Sequence, residues 1–118
     1  MPSLRCSTTT RAGLAVVTVV GDVDFATAEE LWEELSAQLT PSSTVAMDCA
    51  GITFLDSMGL RSLVRAQQHA AEQQATFVLV GSNTNVDRVL ELTGMTDLIP
   101  RFGDIEAARA GLSDRAAE

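Results

Sequence analysis

The stretch Leu14-Ala-Val-Val-Thr-Val-Val20 is apolar and β-branched, and too short for a helix. It predicts a strand that ends at Gly21. Residues 4–10 predict a weaker strand, paired to it through a turn near Arg11-Ala12-Gly13. Its polar threonines place it at a sheet edge. From Thr27 the period changes. Leu31, Leu35 and Leu39 recur every four residues, with Ala28 on the same side. Glu29, Glu30, Glu33 and Glu34 crowd the first turns, where the helix dipole favours negative charge. A helix is predicted here, ending before Pro41. Val45 to Cys49 reads as a short buried strand. Leu60, Leu63, Val64 and Ala71 mark a helical stripe from about Ser57 to Gln74. Thr76 to Val80 is a further apolar strand, closed by Gly81-Ser82-Asn83. Val86, Val89, Leu90 and Thr93 predict a short helix stopped by Gly94. Leu98-Ile99 is expected as a last short strand closed by Pro100. Asp104 is expected to cap a final helix with Ile105, Ala108 and Leu112 inward.

Strands that alternate with helices predict an α/β fold. The sheet is mixed and mainly parallel, with about four helices packed on it. The 118 residues make one domain, with a core at about residues 4–112. In such folds the functional crevice lies beyond the carboxyl ends of the strands. Two loops fall there: Gly21-Asp22-Val23-Asp24, and Gly51 to Gly59.

The second loop carries the most informative chemistry. An apolar stretch leads into Asp56-Ser57, and then a long helix begins. Either residue is positioned to cap that helix. Gly59 leaves the first turn bare, so a partner backbone could approach closely. A hydroxyl at a helix N-terminus is exposed, and a phosphate added there is tolerated because free N–H groups and the dipole accept it. The phosphate would add about −1.5 to −2 charges to a surface holding Asp22, Asp24 and Asp56. A partner reading that surface would be repelled. An ordinary N-cap serine fits the spacing of Ser57 as well. Arg61 follows Ser57 by four residues, on the same helical face. It could pair with such a phosphate or with Asp56. Met58 is expected to be exposed and available for contact.

Several chemistries are disfavoured. Residues 55–59, Leu-Asp-Ser-Met-Gly, lack the first glycine of a nucleophile elbow. His69, the single histidine, lies along the same helix, roughly 18 Å from Ser57 at a helical rise of 1.5 Å per residue. It cannot serve Ser57 as a general base. Asp22 and Asp24 could form a carboxylate pair, but turn and capping roles explain them and no third metal ligand is in evidence. Asp48 reads as a loop or capping carboxylate. Cys49 reads as a small buried hydrophobe and Cys6 as a surface thiol. Trp32 is expected to be partly buried, and His69 to face solvent.

Charge narrows the partners. Sixteen acidic residues against eight basic give a net charge of −8. Nucleic acid and anionic membrane are therefore poor partners, and a basic patch on a protein is a better one. Every basic residue is arginine, so no lysine is present for Schiff-base or P-loop chemistry. No secretory signal is read at Met1 to Arg5, and the longest apolar run is about a third of a membrane span. The expected setting is a reducing cytoplasm, without cofactor or metal.

The block Val45-Ala-Met-Asp-Cys-Ala-Gly-Ile-Thr-Phe-Leu-Asp-Ser-Met-Gly-Leu60 resembles the central signature of STAS domains, in particular bacterial anti-sigma factor antagonists. That signature is a strand ending in Asp, a short loop, then Asp-Ser-(Ser/Thr)-Gly-Leu opening a helix. Gly21-Asp-Val-Asp-Phe-Ala-Thr-Ala28 resembles the family's Gly-Glu-Leu-Asp stretch. Val89-Leu-Glu-Leu-Thr-Gly94 resembles its closing Leu-x-x-x-Gly motif. The likeness spans roughly residues 4–112.

The resemblance implies a binding protein, not an enzyme. Such members bind an anti-sigma factor that is also a serine kinase with a histidine-kinase-like ATP fold, and binding frees a sigma factor. The kinase phosphorylates the serine matched here by Ser57, which ends the binding. A metal-dependent serine phosphatase reverses it. Asp24 matches the family's aspartate near that serine, and Asp22 stands where glutamate is usual. Asp56, Met58, Gly59 and Arg61 would line the same surface, in a monomer or weak dimer. Met58 departs from the usual serine or threonine and leaves one clear acceptor. The alternatives are a STAS module of another signalling or stress-response assembly, a small enzyme using Ser57, and a nucleotide binder.

Overall fold

The computed structural model describes residues 4–117. Strand β1 (Leu4–Arg11) and strand β2 (Leu14–Val23) form a hairpin, followed by helix α1 (Ala28–Gln38). Strand β3 (Thr44–Leu55), helix α2 (Ser57–Glu72), strand β4 (Thr76–Val80) and helix α3 (Thr84–Leu92) come next. Strand β5 (Arg101–Phe102) and helix α4 (Ile105–Ala117) complete the order. The sheet keeps chain order, β1-β2-β3-β4-β5. Only β1 runs antiparallel to its neighbour.

This order decides where the helices go. Each parallel strand is added on the same side of the last, and crossovers are right-handed. Helices α1, α2 and α3 therefore share one face. Strand side chains alternate, so one face takes Val17, Val19, Val45, Met47, Phe77 and Leu79. These bury against Leu31, Leu35, Leu63, Ala66 and Leu90. The opposite set, Leu14, Val16, Ala46, Val78 and Val80, is covered by Ile105 and Ala108 of α4. Asp104 caps α4 as expected, accepting from Ala107 N at 2.8 Å.

The β1–β2 turn is two residues, Ala12 at φ 53° and Gly13 at φ 82°. Both are left-handed, the geometry that matches strand twist in a tight hairpin. Ala12 is a poor residue for it, because its Cβ crowds the following carbonyl. Ala12→Asn is expected to raise stability by about 0.5–1 kcal/mol. Urea unfolding checks this, with a higher midpoint at unchanged slope as the expected result.

Several elements depart from the sequence reading. β2 continues past Gly21 to Val23, and β3 past Cys49 to Leu55. The two strands slip register between Thr18 and Val20 and again between Gly21 and Asp22, then resume pairing at Asp22↔Phe54 and Val23↔Leu55. Asp48 is thus mid-strand, where its Oδ1 accepts from Ala50 N. Leu98 and Ile99 are not a strand. Ile99 is a buried plug in a bend, and the strand begins after Pro100, whose carbonyl accepts from Leu79 N at 2.9 Å. On α2 the inward alanines are Ala66 and Ala70, while Ala71 is exposed. Cys6 is half-buried and not a surface thiol. Burial, aided by Glu30 and Glu34, pushes it up to about 11, so it stays protonated and inert at neutral pH. Cys49 is fully buried, as expected. His69 is half-buried, set edge-on to Trp32 with ring centroids 5.5 Å apart.

Candidate functional site

The resumed pairing of β2 and β3 carries both strand ends beyond the rest of the sheet. It sets the β2–α1 turn beside the start of α2. Asp56 joins the two. Its backbone is extended and it is the N-cap of α2. Oδ1 accepts from Met58 N and Gly59 N, each at 2.9 Å. Oδ2 accepts from Phe25 N at 3.2 Å, across to the other segment. Asp56 N in turn donates to the Val23 carbonyl at 3.1 Å.

Ser57 is therefore the first helical residue and not the cap. Its side chain is exposed, and its hydroxyl makes no hydrogen bond among the described residues. The capping role that would have explained this serine belongs to Asp56. One expectation also fails here. Met58 N and Gly59 N already donate to Asp56, so they are not free to donate to a phosphate on Ser57.

Gly59 is buried, and its bareness serves the interior. A Cβ there would lie 2.5 Å from the Val23 carbonyl oxygen and 2.6 Å from Leu55 Cδ1. The close approach is made by β2 of this chain and leaves no opening for a partner's backbone.

The β2–α1 turn is stitched by Asp24 and Thr27. Asp24 Oδ1 accepts from Ala26 N and Thr27 N at 3.0 and 3.2 Å. Thr27 Oγ accepts from Asp24 N at 3.0 Å and donates to the Asp22 carbonyl at 2.8 Å. This reciprocal pair follows the logic of a capping box. Asp22 accepts from Thr53 Oγ of β3 at 2.6 Å. The turn that carries Asp22 and Asp24 is thus tied to the start of α2 through the bonds of Asp56 to Phe25 N and the Val23 carbonyl.

Three apolar side chains stand out on the same segments. Phe25 is 79% exposed, Phe54 51% and Met58 40%. Met58 was expected, whereas the two phenylalanines were missed. Phe25 sits in a capping turn with no core side, a signal that was available. Phe54 could be placed only once β3 was known to continue, since strand alternation then sets it apart from buried Leu55.

Arg61 is exposed and pairs with no carboxylate among the described residues. Asp56 does not claim it, because both carboxylate oxygens face backbone amides. Arg65, one turn further, is engaged. It bonds Glu29 at 3.3 Å and lies 4.1 Å over the Trp32 ring. A groove of about 280 Å³ runs between α1 and α2, lined by Ala28, Glu29, Met58, Arg61, Ser62 and Arg65.

Asn83 supports the site from behind and was also missed. It is buried at the cap of α3. Its Nδ2 donates to the carbonyls of Cys49 and Ile52 at 2.8 and 2.7 Å, within the irregular part of β3. Its Oδ1 accepts from Asn85 N and Val86 N.

Among the described residues no cluster of histidine, cysteine or carboxylate side chains could hold a metal ion. No helix among them is long and apolar enough to cross a membrane.

Comparison with known proteins places this arrangement. An anti-sigma-B factor antagonist of Listeria monocytogenes is 30% identical over 82 residues, covering 69% of this chain and 72% of that protein. The anti-sigma-F factor antagonist RsfB of Mycobacterium tuberculosis is 26% identical over 101 residues, covering 85% and 82%. The crystal structure of an anti-sigma factor antagonist from Mycobacterium paratuberculosis superposes with a TM-score of 0.83 at 25% identity, covering 95% of this chain and 96% of that one. The STAS domain model matches residues 5–108, and with that span the chain belongs to the STAS domain family.

Proposed function

We propose that this chain is an anti-sigma factor antagonist switched by phosphorylation at Ser57. With the hydroxyl free, it binds an anti-sigma factor that carries serine kinase activity, and a sigma factor is released in the cytoplasm. With Ser57 phosphorylated, binding ends until a serine phosphatase removes the group. The chain itself performs no catalysis and uses no cofactor.

The observation that carries this reading is the setting of Ser57. Its hydroxyl is exposed and unengaged at the start of α2, on segments that also expose Phe25, Phe54 and Met58. Exposed aromatic and methionine side chains suit a protein contact. The carboxylates of Asp22, Asp24 and Asp56 call for a basic patch on the partner. The hydroxyl is placed as a substrate and not as a nucleophile. Asp56 is held by three backbone amides, and His69 is packed on Trp32 further along the helix. Neither is set to take its proton. The relatives named as antagonists support the same reading.

The test is intact-mass spectrometry after incubation with candidate anti-sigma kinases and ATP, followed by peptide mapping. One phosphate on Ser57, and none on Ser57→Ala, is the expected result. A phosphate mapped to any other residue overturns the assignment.

A further inference from the structure

We propose that Arg61 is the built-in counter-ion of phosphorylated Ser57, folding the phosphate back onto α2. The proposal rests on the reading of Ser57 as the modified residue. It answers a difficulty that the structure itself raises. A phosphate at the start of a helix is normally held by free backbone amides. Here the amides of Met58 and Gly59 are spent on Asp56 Oδ1, and Leu60 N is spent on the Asp56 carbonyl at 2.9 Å. Three of the first four amides of α2 are thus already taken by Asp56.

The surrounding groups make matters worse for a dianion. Asp56 precedes Ser57 directly. Asp22 and Asp24 lie at the end of β2 and in the turn into α1, which Asp56 ties to the start of α2. Glu29 of α1 lies across the groove, already matched to Arg65. Arg61 is the cation left over. It stands one helical turn beyond Ser57, where positions four apart are neighbours. It is exposed and bound to no carboxylate among the described residues. A guanidinium offers a planar pair of N–H donors to phosphate oxygens, so the match is one of shape as well as charge.

The pair defines what the modified chain presents. A phosphate held by Arg61 lies along α2 towards the groove, and the modified surface loses a free cation as it gains an anion.

The experiment installs phosphoserine at position 57 during synthesis of the full chain, so that no kinase is needed. Phosphorus NMR then follows the second ionisation of the phosphate, ordinarily at about 6. A nearby cation favours the dianion and lowers this value. Arg61→Ala is expected to raise it by about 0.5 or more, and added salt should erase the difference. Arg61→Lys should keep most of the lowering. Arg65→Ala, which removes a cation already committed to Glu29, should leave the value in place. Equal titration of the parent and Arg61→Ala overturns the pair. So does a rise in Arg65→Ala as large as that in Arg61→Ala. The titration reports on the pair whether or not any kinase modifies Ser57 in the mapping assay.

Discussion

Phosphorylation of Ser57 is expected to weaken binding to the anti-sigma factor by about ten-thousandfold. Swinging a complex from almost fully formed to almost fully dissociated takes about 5.5 kcal/mol. Two effects supply it. The phosphate adds bulk where the partner packs against a bare hydroxyl, an overpacking cost that attraction to the partner's basic groups does not remove. It must also shed water beside Phe25, Phe54 and Met58, where an imperfectly paired ion is costly. Ser57→Ala removes only an exposed, unbonded hydroxyl and should bind within about threefold of the parent. Ser57→Glu, with one charge on a shorter arm, should fall between, about tenfold to a hundredfold weaker. Calorimetric titration of the four forms against one anti-sigma factor measures the series. Parent-like affinity in the phosphorylated form would end this account.

Gly59→Ala is expected to destabilise the fold by about 2–4 kcal/mol. Two effects oppose each other at this position. Helix propensity alone favours alanine by about 1 kcal/mol. Packing opposes it, because the new methyl would sit 2.5 Å from the Val23 carbonyl oxygen. That oxygen is backbone and cannot swing aside. It also accepts from Asp56 N, so any retreat loosens the residue that ties the two site segments together. Packing therefore wins. Equilibrium urea unfolding measures the change, and a neutral or more stable Gly59→Ala would show that β2 yields where it is expected to be rigid.

Much of the fold was legible because local signals agreed. The hairpin, the capped start of α2 and the buried leucine stripe of α1 each follow from periodicity and capping chemistry. The site was legible only in part. Gly21 reads as a strand end, yet the parallel pairing slips register there and resumes. That continuation, visible only with β3 alongside, lifts Phe54 into view. Gly59 reads as an open step on the surface, whereas the residue filling the space belongs to a strand far away in sequence. Arg61 offers two partners by spacing, and the choice turns on amides that Asp56 occupies. Short-range chemistry was readable in each case, and long-range competition for the same groups was not.

Asp56 has a kinetic consequence through its bonds to Phe25 N and the Val23 carbonyl. It locks the turn bearing Phe25 to the helix bearing Ser57 before any partner arrives. That turn need not order itself during an encounter, so less conformational entropy is lost on complex formation. The speed of association is then governed by diffusion and by the long-range pull of a chain with net charge −8.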